Sequence, residues 1–166
     1  MRDLRSGSRT SPTRCTPLRG EVVGMDDRPI LICYDGSTGA RHAIDGAAGL
    51  LGARQALVLD VGPVQEYARL GSEAVALDEM AREFTAARAD SGAQLARAAG
   101  FHAHGHADIE APAWRCAVEV GDEIDAAAIV VGSRGLCGIK ALLEGSFSRL
   151  VATHAGRPVL VIPPPN

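Results

Sequence analysis

Aromatic side chains make up only 4% of the 166 residues, and the four cysteines are scattered without a C-x-x-C pair. With so few rings, the core must be aliphatic. Hydrophobic residues reach 46%, mostly Ala, Val, Leu and Ile, which suits helices packed on a sheet. Cys15, Cys33, Cys116 and Cys137 imply neither a disulfide framework nor a zinc site. Cys33 in an apolar strand and Cys116 in a helical stretch read as small buried hydrophobes. Lysine is nearly missing. Lys140 is the only one among seventeen basic residues, a bias we read as genome composition.

A net charge of −3 gives no reason to expect nucleic-acid binding. No apolar run approaches the length that crosses a bilayer, and no signal-peptide core follows the N-terminus. The expectation is one cytoplasmic domain with no membrane partner, large enough to bury a full core.

What is present centres on Val130 to Phe147, VVGSRGLCGIKALLEGSF. The apolar run Ala126 to Val131 stops at Gly132, with Gly135, Gly145 and Ser146 beyond it. Phe147, Leu150, Val151 and His154 then recur at helical spacing. This is the grammar of a buried strand, a glycine-rich loop and a helix N-terminus. Glycines let the backbone approach a ligand, and the unpaired N–H groups of a first helical turn favour an anion, most usefully phosphate.

Residues 1–27 lack periodicity and have the composition of a disordered tail, leaving 28–166 as the domain. Met25 is a candidate translation start. Pro29 to Tyr34 is a short apolar run of the kind covered on both faces, ending at Asp35-Gly36-Ser37-Thr38. Ser37 or Thr38 can cap a helix whose stripe is Ala40, Ala43, Ile44, Ala47 and Leu51, closed by Gly52. Ala56 to Val61 is a second strand, with Asp60 inside it. A long helix runs from about Gly71 to Ala99. Leu77, Met80, Ala81, Phe84, Ala87, Leu95 and Ala98 form its apolar face, and Gly92 is a local weak point. Phe101 to Asp108 alternates as an edge strand, Pro112 to Ile124 is helical, and Pro158 to Ile162 is the last strand.

Strands alternating with helices, most of them apolar throughout, imply an α/β fold of Rossmann-like kind. Its sheet would be open, doubly wound, parallel and five-stranded, with helices on both faces. Winding strands one to three one way and four and five the other gives the order 3-2-1-4-5. The ligand crevice then falls at the carboxyl ends of strands one and four, which sets Asp35 beside the glycine loop.

The spacing Gly132-x2-Gly135-x9-Gly145-Ser146, the opening Ile30 to Ser37 and the close His154 to Ile162 resemble, in matching order, the universal stress protein family. The resemblance covers about Pro29 to Ile162. It implies ATP binding, with Mg2+ or Mn2+, as a nucleotide-responsive stress module. By that resemblance Gly132, Gly135, Gly145, Ser146 and the Phe147 N–H contact ribose and phosphates, and Val131 and Gly132 wall the adenine. Asp35 faces the nucleotide or its metal, and Val61 offers backbone groups to the base. It also implies a homodimer through the edge strand Pro158–Ile162, an exposed apolar edge that invites pairing. Asp60 departs from the aliphatic or histidine residue expected there.

Each assignment has a plainer alternative. The glycines could serve tight turns alone, and Ser146 could simply cap a helix. Arg134 and Lys140 could screen phosphate or be solvated, and Cys137 is a small loop residue. His102, His104 and His106 share one face of an edge strand, which is the pattern of a wet face more than of a metal site. Asp122, Glu123 and Asp125 read as a solvated helix end, and Trp114 as core or interface. The loop lacks the Gly-Lys-Ser/Thr of a P-loop, and no nucleophile, base and acid present themselves together. The expectation is binding with little or no hydrolysis and no catalytic residue. A second reading keeps the fold as a dimeric stress scaffold that binds no nucleotide.

Overall fold

The computed structural model describes residues 27–62, 72–109, 112–133 and 147–164, with side chains in the second helix from residue 78 onward. Residues 1–26 of the expected tail, Gly135, Gly145, Ser146 and their neighbours Arg134, Cys137 and Lys140 lie outside these residues, as does the Leu77 side chain.

Five strands, β1 (Ile30–Cys33), β2 (Gln55–Val61), β3 (His102–Asp108), β4 (Ala128–Gly132) and β5 (Val159–Ile162), form one parallel sheet in the order β3-β2-β1-β4-β5. The helices α1 (Thr38–Leu51), α2 (Ser72–Ala98), α3 (Ala113–Glu123) and α4 (Phe147–His154) alternate with them. The expected strand order is therefore the observed one. Because β1 is central and covered on both faces, all four of its residues are buried.

One cluster, with Ile32, Tyr34, Ile44, Val58, Ala93 and Val130, lies under α1 and α2. The other, with Leu31, Cys33, Leu59, Cys116, Val131 and Val151, lies under α3 and α4. Successive strand residues point to opposite faces, so Ile32 and Leu31 serve different cores. Fully burying a side chain such as Ile32 or Leu31 contributes about 1.5–3 kcal/mol.

Helix α1 begins as its sequence dictates. The Ser37 Oγ accepts from the Ala40 N–H at 3.2 Å, filling one of the orphan donors of the first turn. Ala40, Ala43, Ile44 and Ala47 are its buried stripe. At the other end Gly52 takes φ +68 and its N–H donates to the Ala48 carbonyl.

Helix α2 corrects the sequence reading. The face it buries carries Thr85, Ala89, Gly92, Ala93 and Ala96, while Met80 and Phe84 are each 65% exposed and Leu95 is 38% exposed. Small residues win the inward face because the helix lies very close to the sheet. A Cβ on Gly92 would sit 2.6 Å from Tyr34 Cδ1, and one on Gly105 would sit 2.6 Å from Asp90 Oδ1. Gly92 is thus a point of close approach between α2 and the sheet.

At the amino ends of the strands, charges tie turns together. Arg157 bonds Asp122 and donates to the Ala126 carbonyl, and Arg28 pairs with Asp125 at 3.2 Å. The acidic helix end is exposed, yet two of its three carboxylates have partners.

Candidate functional site

The winding reverses between β1 and β4. Ile30, Leu31 and Ile32 pair in register with Ala128, Ile129 and Val130. Their continuations, Tyr34-Asp35 and Gly132-Ser133, therefore leave the sheet side by side. Open sheets of this kind hold ligands at such a break.

Beyond β1 the chain turns sharply. Asp35 is exposed, and its Oδ1 accepts from the Ser37 N–H at 3.0 Å, the local bond that makes Asp a turn former. Gly36 follows at φ +79, a conformation side chains resist, and Ser37 then caps α1. The turn thus sets a carboxylate and the amide end of a helix at the carboxyl end of β1.

Beyond β4, Gly132 meets the first turn of α1. A Cβ there would fall 2.6 Å from the Gly39 carbonyl oxygen and 3.0 Å from the Ala40 nitrogen. Only glycine lets α1 seat directly on the strand end. Gly132 therefore has a packing role of its own in addition to any contact with a ligand. The Ser133 N–H donates to the Ile162 carbonyl at 2.8 Å, which holds this exit against β5.

Val131 is buried, and Phe147, the first residue of α4, is half-buried against the same cluster of Leu31, Cys33 and Leu59. Val61 is half-buried at the end of β2 and packs on that cluster too. Its neighbour Gly62 donates to the Asp108 carbonyl at 2.8 Å, and Thr85 of α2 fills the space a Cβ on Gly62 would need. The structure thus brings Asp35, Val131, Gly132 and Phe147 to the β1–β4 end of the sheet, with Val61 one strand away. Gly135, Gly145 and Ser146 lie outside the described residues.

Cys33 stands one residue short of the turn. Burial, reinforced by Cys116 and Asp35 nearby, pushes its thiol up to about 12, so it stays protonated. The site gains no nucleophile from it.

The residue that the sequence did not single out is Arg88. Asp60 is fully buried, and Arg88 of α2 binds it with two arms, Nη2 to Oδ1 at 2.8 Å and Nε to Oδ2. A signal existed: a carboxylate inside an apolar strand requires a cation. Which arginine supplies it, 28 residues on, depends on how α2 returns over the sheet.

His102, His104 and His106 do share an exposed face of β3. Among the described residues no group of three or more His, Cys, Asp or Glu is placed to hold one metal ion. Trp114 is half-buried on the α3–α4 core with its ring 4.7 Å from that of His154.

Comparison with known proteins agrees with this fold. The sequence model described as the universal stress protein family matches residues 28–163. Among solved structures, the hypothetical protein MJ0577 is similar at a TM-score of 0.69 and 22% identity, over 84% of this chain and 98% of that one. A universal stress protein in complex with cAMP gives 0.63 and 23%, over 83% and 98%. The universal stress protein of Archaeoglobus fulgidus in complex with dAMP gives 0.52 and 24%, over 81% and 97%. No curated protein matches the chain in sequence.

Proposed function

Since this chain belongs to the universal stress protein family, we propose that it binds an adenine nucleotide at the carboxyl ends of β1 and β4. ATP is the ligand of this reading, carried with a divalent cation near Asp35. The observation that carries it is the convergence at the winding reversal. Asp35, the capped N-terminus of α1 and the Gly132 exit lie together there, in a fold shared with proteins solved with cAMP and dAMP.

In this reading Gly132, Gly135, Gly145 and Ser146 contact ribose and phosphates, with the Phe147 N–H at the start of α4 as a further donor. Backbone amides suit this task because they present fixed partial charge without the reorganisation a flexible lysine needs. Val131 and Gly132 wall the base, and Val61 offers it backbone groups. The protein then works as a cytoplasmic nucleotide-responsive module, its ligand state changing the surface it shows to partners. No residue at the described part of the site is poised to activate water, so turnover is slow or nil.

A ligand that binds only the folded chain raises its melting temperature by mass action. Nucleotide-stripped protein is therefore expected to melt higher in Mg-ATP than in Mg-GTP or buffer. Equal melting temperatures in all three would contradict adenine-nucleotide binding.

A further inference from the structure

Burying a carboxylate is costly unless a cation follows it in, and a hydrophobic pair of similar volume often stabilises as well. Asp60 is the one acidic side chain buried among the described residues, so its retention asks what the pair does besides stabilise. Its partner offers an answer. The Arg88 fork is fixed on Asp60 by two bonds, and its guanidinium lies over the Phe84 ring at 5.3 Å. The stem passes the β1–α1 turn, where a Cβ on Gly36 would lie 3.1 Å from Arg88 Cδ. Arg88 is thus pinned from below by Asp60 and from outside by Phe84, with its own chain laid against Gly36. The hydrogen bond to Asp60 raises its pKa most, burial opposes this, and Asp35 and Tyr34 add further raising charge, so Asp35 lies within its field.

We infer that Arg88, anchored by Asp60, is a positioning residue for the crevice. It clamps the Asp35-Gly36-Ser37 turn so that the Asp35 carboxylate and the first amides of α1 hold one orientation toward the ligand. The inference rests on the nucleotide-binding reading above. It also explains two features that otherwise conflict with the sequence pattern. Asp60 breaks an apolar strand in order to hold the arginine, and Phe84 points outward in order to cover it.

The test uses the full chain with three changes: Arg88→Met, the double variant Asp60→Leu with Arg88→Met, and Arg88→Lys. Arg88→Met alone leaves Asp60 buried without its partner and should melt earlier. The double variant removes that penalty and should melt close to wild type. Its affinity for Mg-ATP should nonetheless fall by roughly tenfold or more, the scale on which supporting residues act. Its amides from Gly36 to Arg41 should exchange hydrogen faster, while those of α3 stay unchanged. Arg88→Lys keeps the charge and loses the fork, so it should recover part of both readouts. A double variant with wild-type affinity and wild-type protection of the turn would overturn the inference. Should that variant not fold, wild-type values of both readouts in Arg88→Lys would do the same. A wild-type protein that binds no Mg-ATP removes the nucleotide reading and with it the functional half of the inference. Exchange at the turn then decides the clamp by itself.

Discussion

Cys33 shows how position rather than residue type decides reactivity. A thiol near the crevice of a stress protein invites a redox role, but burial holds it protonated to about 12 against an ordinary 9.0. The thiolate is the reactive form, so iodoacetamide at about pH 8 should leave Cys33 unlabelled in native protein and label it on unfolding. The same shift gives a pH dependence of stability. Between 9.0 and about 12 the unfolded chain loses this proton while the native one keeps it. Native protein then binds more protons, and stability falls as pH rises through that window. Urea melts of wild type and Cys33→Ala should converge or cross above pH 9.0, with the wild type losing more; parallel pH curves would contradict this.

At the scale of elements, close approach explains what hydrophobicity alone does not. Gly132 is glycine because the first turn of α1 occupies the place of its Cβ, with a carbonyl oxygen 2.6 Å away. The obstacle is backbone and cannot rotate aside. Gly132→Ala should cost ~1–3 kcal/mol by overpacking and weaken nucleotide binding as α1 shifts; wild-type chemical denaturation would refute it. Likewise α2 is held by Gly92 and Gly105, which let its small-residue face press on β2 and β3. This is where sequence periodicity misled. Met80, Phe84 and Leu95 are the larger apolar side chains, yet the stripe of Ala, Gly and Thr is buried because packing rewards fit as well as hydrophobicity. The cap at Ser37, the end at Gly52 and the two-sided burial of β1 were all readable, since each follows from local chemistry. The Asp60–Arg88 pair was not, because it joins residues from separate elements. Of the crevice, the sequence could indicate Asp35 and Gly132 through the strand order. It could not reveal that Gly132 seats a helix, which depends on how closely α1 docks.

For the whole molecule, the sheet leaves two different edges. β3 presents His102, His104 and His106 to solvent, a polar edge that resists pairing. β5 presents Val161, 41% exposed, beside half-buried Val159 and Leu160. We propose β5 as the homodimer contact. Sedimentation should report a dimer for wild type and a monomer for Val161→Arg, whose chain still folds because the side chain is exposed on the single chain. A monomeric wild type at micromolar concentration would contradict it.

The two halves of the sheet meet at the crevice, and on that meeting the functional account depends. Its most direct measurement is calorimetric titration of nucleotide-stripped protein with Mg-ATP, alongside Gly145→Val, whose side chain should block a phosphate from the loop backbone. The account predicts saturable binding by the wild type that the variant loses. A folded wild type that takes up no nucleotide would contradict it and leave the fold as a dimeric scaffold.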